Sequence, residues 1–281
     1  MKKDHLKGLC RAAAAALALC APSAASSGEL AAVVSSDAGP YAEAYAAFRA
    51  GLSAPVDLYD ISTPGFSAPE DARYVAVFGA RATALDFPAG THRVYALAPV
   101  AGRGRGWHQI SMVPPPAEAL AAYAGLQPGL RRLAVFWAAY PGEKYMEELR
   151  AAGEAAGIEI LSARLKSPDS LPERLRRLMG KMDAFWLMPD PVLITQGSLM
   201  VLANFSCANA VPFYAPTYAL VQNGATASFA PDFAEAGAAA ARAVEELRAG
   251  RRLPPVIYPL NTRLRLNMQL LDKCRWPLKT K

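Results

Sequence analysis

The chain has 281 residues, of which 53% are hydrophobic and 19% charged, a balance that excludes intrinsic disorder and supplies one large core or two modest ones. Its formal net charge is +6, but Lys2, Lys3, Lys7 and Arg11 against Asp4 place +3 of it within the first 25 residues. The +3 left for the remainder excludes a basic patch suited to nucleic acid.

In chain order, "MKKDHLKGLCR" is a cationic start, "AAAAALALCA" an apolar stretch and "PSAAS" a small-residue cleavage region. Residues 1–25 therefore read as a secretory signal peptide cut after Ala25. The competing reading is a lipoprotein acylated at Cys20, which the bulky Leu19 before it disfavours. No later segment offers the roughly 20 uninterrupted apolar residues of a membrane-spanning helix, so an exported, soluble mature chain is expected. Loss of the signal leaves Cys207 and Cys274, which could form one disulfide in an oxidising compartment or remain as two buried thiols. With His92 and His108 they make no recognisable zinc spacing, and no metal or cofactor is implied.

From Leu30 onward a short apolar run, a turn and a helical pattern recur. "ELAAVVSS" reads as a strand leading into the helix "PYAEAYAAFRAGL", with Pro40 in its first turn. "APVDLYDI", "ARYVAVFGA" and "HRVYALAPV" read as further strands. The stretch "GRGRG", Gly102 to Gly106, fits no nucleotide loop and reads as a surface loop in which Arg103 or Arg105 could meet an anion. A helix over "VPPPAEALAAYAGLQPG" opens a second series: strand "RRLAVFWAAYPG", helix "EKYMEELRAAGEAAG", strand "IEILSARL" and helix "SLPERLRRLMGK". Strand "DAFWLMP", helix "PVLITQGSLMVLANFSCANA", strands "VPFYAP" and "GATASFAPDF" and helix "AEAGAAAARAVEELRAG" complete it. Such alternation predicts parallel βαβ units in an α/β, doubly wound architecture, and its repetition predicts two similar lobes.

The passage "MPDPV" sits where function and structure compete. Pro189 cannot continue a ladder, so the strand Ala184 to Met188 should end there, and Asp190 with Pro191 suits the cap and first position of a helix. In open α/β sheets ligands also gather beyond the carboxyl ends of strands, where Asp190 stands. No catalytic constellation accompanies it: there is no G-x-S-x-G, no phosphate-binding P-loop and no H-E-x-x-H.

The second half carries a resemblance. "MDAFWLMPDPVLI", "VPFYAPTYALVQNGATASFAPDFAEAGAAAARAVEELRAGRRLPPV" and "TRLRLNMQLL" resemble, in order and spacing, the bacterial ABC transporter substrate-binding proteins with the type I periplasmic binding protein fold. The matching positions are Asp183-Ala184, Pro212-Phe213, Gly224-Ala225, Asp232, Gly237, Ala240-Ala241, Gly250, Pro254 and Asn267. "RRLAVFWAAYPGEKYMEELRAAGEAAGIEI" fits the start of the family's second lobe, whereas Phe78 to Trp107 is compressed relative to it. Gly237 reads as a site of close packing against a neighbouring sheet, and Gly224 as the end of a short helix.

The resemblance implies two lobes, residues 28–115 plus 231–259 and residues 116–230 plus 260–281, joined by crossovers near Pro114 to Pro116, Ala230 to Pro231 and Pro259 to Asn261. It implies a small-molecule ligand held between them, an ABC permease of the inner membrane as partner, a periplasmic location and a monomer without catalytic residues. The candidate ligand-binding residues follow the strand ends: Ser35, Ser36, Asp37, Tyr41, Ala80 and Arg81 from the first lobe, and Ala139, Tyr140, Asp190, Thr217 and Tyr218 from the second. Arg81 would pair with a carboxylate, Tyr140 or Tyr218 would stack on a ring, and Asp190 would take an ammonium, which suits an amino acid or small organic acid. Two alternatives stay open: a sensing or accessory module of the same fold, and a secreted α/β enzyme.

Overall fold

The computed structural model describes residues 28–99 and 106–279. The expected signal peptide, Cys20, Arg103 and Arg105 lie outside the described residues. The strands are β1 (Leu30–Val34), β2 (Asp57–Asp60), β3 (Tyr74–Phe78), β4 (His92–Ala96), β5 (Trp107–Ile110), β6 (Arg132–Trp137), β7 (Glu159–Arg164), β8 (Ala184–Leu187), β9 (Phe213–Ala215), β10 (Ala227–Ala230), β11 (Val256–Ile257) and β12 (Arg263–Leu266). The helices are α1 (Gly39–Ala50), α2 (Pro116–Leu126), α3 (Glu143–Ala156), α4 (Leu171–Leu178), α5 (Gln196–Asn209), α6 (Tyr218–Gln222), α7 (Phe233–Arg248) and α8 (Leu271–Cys274).

These elements form two six-stranded sheets in two lobes, with strand orders β11-β5-β4-β3-β1-β2 and β12-β10-β9-β8-β6-β7. All pairings are parallel except β10 with β12. Parallel register brings the carboxyl ends of adjacent strands level: Val34 stands beside both Phe78 and Asp60. Everything the sequence placed just after a strand therefore gathers along one edge of each sheet.

The second sheet has helices on both faces, α2 and α3 over Trp137, Trp186 and Tyr214, and α4 and α5 over Phe136, Phe185 and Phe213. The first differs. Its one face packs on α1 and α7 through Val34, Phe48, Phe78, Ala240 and Val244. No α-helix intervenes between β2 and β3 or between β3 and β4, only a 3-10 turn at Ala82–Ala84. The other face, Ala31, Val33, Val75, Val77 and Tyr95, is accordingly covered by Phe66, Leu85 and Phe87 from loops, with Trp107. This is the physical form of the compression seen in the sequence.

Several family-like positions prove to be scaffold. Asp183 Oδ2 accepts from the amides of Arg131 at 2.9 Å and Arg132 at 2.7 Å, and its Oδ1 from the Arg132 guanidinium at 3.0 Å, tying the start of β6 to that of β8. Burial works to raise this carboxyl, but the Arg132 side chain and the two amides outweigh it and hold it below the usual range. Asn267 Nδ2 donates to the carbonyls of Val221 at 2.8 Å and Ala225 at 3.2 Å, fixing the end of β12. Gly237 packs on a helix and not, as expected, on a sheet: a Cβ there would lie 1.9 Å from the Ala44 carbonyl oxygen of α1. Cys207 of α5 and Cys274 of α8 are joined by a disulfide, beside which Trp276 Nε1 donates to Ser206 Oγ at 3.0 Å.

Strand β8 ends as expected, but no helix follows it at Pro191. The chain turns through residues 191–193, with the amides of Leu193 and Ile194 donating to the Asp190 carbonyl at 3.0 and 3.1 Å. Helix α5 starts at Gln196 because Thr195 and Ser198 form a capping box, each side chain accepting from the other residue's amide.

Candidate functional site

The chain passes between the sheets three times, through residues 111–115 after β5, 231–232 before α7 and 258–262 between β11 and β12. Candidate positions lie beside these crossovers and at the carboxyl ends of the strands of each sheet.

On the first sheet, the Ser35 amide donates to the Phe78 carbonyl at 2.9 Å, and its buried Oγ accepts from the Ala82 amide at 3.2 Å. Gly79, at φ +94°, closes this knot: a Cβ there would come within 2.5 Å of both Ser35 Oγ and the Tyr41 ring. Ser35, Tyr41, Ala80 and Arg81 are thus brought together around a glycine no other residue could replace. Ser36 Oγ accepts from the Ala38 amide at 3.3 Å, and Asp37 is exposed beside it.

Asp60, at the end of β2, is a residue that sequence reasoning missed. Its Oδ1 accepts from the Ser62 hydroxyl and amide, both at 2.7 Å. Those two bonds, followed by the Asp37 amide and the charge of Arg81, hold its carboxyl below the usual range. The charge of Arg81 thus acts on a carboxylate of its own sheet, without an ion pair between the two among the described residues. The signal was present in the sequence: Asp60 ends the run "DLYD", as Asp190 follows "FWLMP".

On the second sheet, Asp190 is 0% exposed. Its Oδ2 accepts from the amides of Ala138, Ala139 and Tyr140 at 3.2, 2.6 and 2.9 Å, and its Oδ1 from Val192 at 2.9 Å. The expectation that Asp190 takes an ammonium is corrected by this geometry, because the carboxylate is spent on shaping the β6–α3 turn and is sealed from solvent. The amides of Ala139 and Tyr140 are spent with it. The expected stacking role of Tyr140 is likewise corrected: the ring is buried, and its hydroxyl accepts from the Met112 amide at 3.0 Å in the first crossover. Burial raises its ionisation, so it stays neutral.

Thr217 and Tyr218, in contrast, line a cavity of about 240 Å³. Ser228 and Ala230 of β10 and Arg263 and Arg265 of β12 form one wall, and Glu43 of α1 and Phe233 of α7 bring the other from the elements packed on the first sheet. The Arg265 guanidinium lies over the Tyr218 ring, 5.3 Å from its centroid. Glu43, Arg263 and Arg265 were not foreseen as site residues, although the alternation in "TRLRL" put both arginines on one face of a strand. A second cavity of about 410 Å³ lies where Tyr140, Pro141 and Tyr145 approach Gln109, Ser111, Pro255 and Tyr258. No cluster of metal-binding side chains occurs among the described residues, and no helix there is long and apolar enough to cross a membrane.

Residues 122–260, about half of the chain, match the family model for ABC transporter substrate binding protein. No curated protein matches the sequence. Among solved structures, the chain resembles an ABC domain from Streptococcus pneumonia in complex with L-Trp, with 14% identity over 89% of this chain and 95% of that one and a TM-score of 0.62. It also resembles CD0873 of Clostridium difficile, described as a substrate binding protein with adhesive properties in its ligand-free, open form, with 11% identity over 88% and 94% of the chains and a TM-score of 0.61. An ABC transporter solute binding protein from Agrobacterium vitis with bound allitol gives 16% identity, 89% and 99% coverage and a TM-score of 0.52. At these identities the likeness is one of fold.

Proposed function

We propose, from the premise that the chain belongs to the ABC transporter substrate-binding protein family, that it captures a small amino-acid-like solute or organic acid between its lobes and passes it unchanged to an ABC permease. The observation that carries this reading is the cavity whose walls come from β10 and β12 of the second sheet and from α1 and α7, which pack on the first. A solute there gains its full set of contacts only when the lobes are together, so binding favours closure. Micromolar affinity corresponds to about 8 kcal/mol, within reach of a few charge-assisted hydrogen bonds and one aromatic contact.

In this reading Ser35, Ser36, Asp37, Tyr41, Ala80 and Arg81 form the first lobe's rim and Thr217 and Tyr218 the second's, while Asp190 fixes Ala139 and Tyr140 behind them. The lobes are residues 28–115 plus 231–259 and residues 116–230 plus 260–281. The protein is exported by its signal peptide, works in the periplasm as a monomer and catalyses nothing. Family membership and the pairing of Cys207 with Cys274, which suits an oxidising compartment, support the assignment.

The test is thermal unfolding of the mature chain against amino acids, organic acids, purines and sugars, with the solute recovered and analysed afterwards. A ligand that raises the melting temperature and returns intact supports capture. Chemical turnover of the recovered solute, or a flat response across the whole panel, refutes it.

A further inference from the structure

At the amino ends of the first sheet's strands, away from the crossovers and the carboxyl ends, lies a cavity of about 530 Å³ that solute capture does not use. Two segments far apart in the chain bring positive charge to it. From the sheet come Arg73, just before β3, His92 at the start of β4 and His108 of β5; from the end of α7 and the turn beyond it come Arg248, Arg251 and Arg252. Glu29 is the one carboxylate on its wall, and it pairs with none of them among the described residues. Arg248 and Arg251 are met by Glu245 and Glu246 of α7, but Arg73 and Arg252 form no ion pair among the described residues. His108 Nδ1 donates to the Pro254 carbonyl at 2.9 Å; a carbonyl only accepts, so Nδ1 holds the proton and Nε2 is left for a second partner. His92 stacks on Tyr74 with ring centroids 5.3 Å apart, and the Arg73 guanidinium lies 5.4 Å from the same Tyr74 centroid. Burial lowers the ionisation of His92, and the charges of Arg73 and His108 lower it further.

We propose that this cavity binds a phosphate group, carried on a soluble ester or on a lipid headgroup, with Arg73 and Arg252 as its anchors. Guanidinium donors are planar and paired, and they take the oxygens of a phosphate two at a time. Basic side chains at the end of a helix also complement its dipole, and that alone would account for Arg248, Arg251 and Arg252. It does not account for Arg73, His92 and His108, which belong to strands and turn their positive charge toward the same space. Like charges that converge from separate elements cost free energy unless an anion stands between them, and Glu29 alone opposes an anion there. The cavity is many times the roughly 30 Å³ of a water molecule, so the group that bears the phosphate fits with it. Because the site lies at the opposite ends of the strands from Ser35, Ala80 and Arg81, it stands or falls separately from solute capture.

The experiment titrates the mature chain and its Arg73→Gln, Arg252→Gln and Arg150→Gln variants at low salt, with glycerol 3-phosphate by calorimetry and with vesicles of phosphatidylglycerol or of phosphatidylcholine by co-sedimentation. Arg73→Gln and Arg252→Gln should each weaken binding about 10-fold. Both side chains are exposed, so the melting temperature of the free protein should not move. Arg150→Gln removes the same charge from an exposed position on α3 and should leave binding as it was. Glycerol 3-phosphate bound with this pattern, and vesicles ignored, supports the site and makes its ligand a soluble ester. Phosphatidylglycerol vesicles bound with this pattern, and phosphatidylcholine not, support it and make the ligand a headgroup. Binding that neither Arg73→Gln nor Arg252→Gln weakens beyond Arg150→Gln reports net charge or another site and overturns the proposal, as does a failure of glycerol 3-phosphate and of both vesicles to bind.

Discussion

Helices α1 and α7 approach so closely at Gly237 that a single methyl group decides whether they can touch. In Gly237→Ala the new Cβ would lie 1.9 Å from the Ala44 carbonyl oxygen, 2.7 Å from its carbon and 2.9 Å from its Cα. These are backbone atoms in the middle of a helix, and no rotamer can relieve the overlap. The helices must part by about 1 Å, and dispersion contacts fall away steeply over such a gap. The same seam includes Gly51, where a Cβ would lie 2.8 Å from that of Ala241, and it covers Phe48 and Val244 of the first lobe's core. Alanine's helix propensity returns about 1 kcal/mol, against an overpacking cost of about 1–3 kcal/mol or more, here toward the upper end because only backbone can yield. A net loss of about 2 kcal/mol lowers the melting temperature of a chain this size by about 4–8 °C. Gly125→Ala in α2 is the matched control, since a Cβ there meets nothing within 4 Å; it should gain about 0.5–1 kcal/mol. Calorimetry of the two variants gives shifts of opposite sign if the reasoning holds. A Gly237→Ala protein as stable as wild type refutes it.

Asp190→Asn turns one of the two carboxylate oxygens into a donor facing amides that also donate, so it should cost about 2 kcal/mol in urea unfolding and weaken cargo binding through the displaced Ala138–Tyr140 turn. Replacing Cys207 and Cys274 by serine opens a loop of sequence separation 67; chain entropy puts the loss near 4 kcal/mol, seen as a lower denaturation midpoint that reducing agent no longer shifts. The Asp183 carboxyl is held low in the folded state, so its contribution is complete above about pH 5 and is lost as pH falls through 4 and below. Asp183→Asn should therefore be less stable at neutral pH and show a shallower acid limb in a plot of stability against pH; an unchanged limb would remove Asp183 from the account.

The two-sheet architecture was readable because buried parallel strands such as "LAAVV" and "YVAVF" announce themselves as continuous apolar runs. Strand β12 did not, since an edge strand carrying Arg263 and Arg265 looks like a polar loop until its alternation is weighed against a partner. Strand β5, "WHQI", has little propensity of its own and is held by ladders to β4 and β11. At the site, sequence placed Asp190 at a strand end correctly but could not show that amides some 50 residues earlier fill its oxygens. Tyr140 failed for the same reason, its partner being the amide of Met112 in a crossover. Local pattern gives position along an element; which groups are already satisfied depends on contacts between distant segments.

Those contacts also locate where the lobes can bend. The first crossover is held to the second lobe, because Tyr140 accepts from the Met112 amide and Tyr145 donates to the Pro114 carbonyl at 2.9 Å. The third is held to α7: Glu235 accepts from the Leu260 amide at 3.2 Å and from Asn261 Nδ2 at 2.9 Å. Bending between the lobes, which the capture reading requires, would therefore fall on the short stretches left unheld, next to Ser111 in the first crossover, between Asn261 and Arg263 in the third and at Pro231 in the second. Two of these joints border the arginine-lined cavity, whose wall includes Pro231, Asp232 and Arg263. There Arg263 stands 3.8 Å from Asp232, the cap of α7, so an ion pair bridges the joint between the helix on the first sheet and the edge strand of the second.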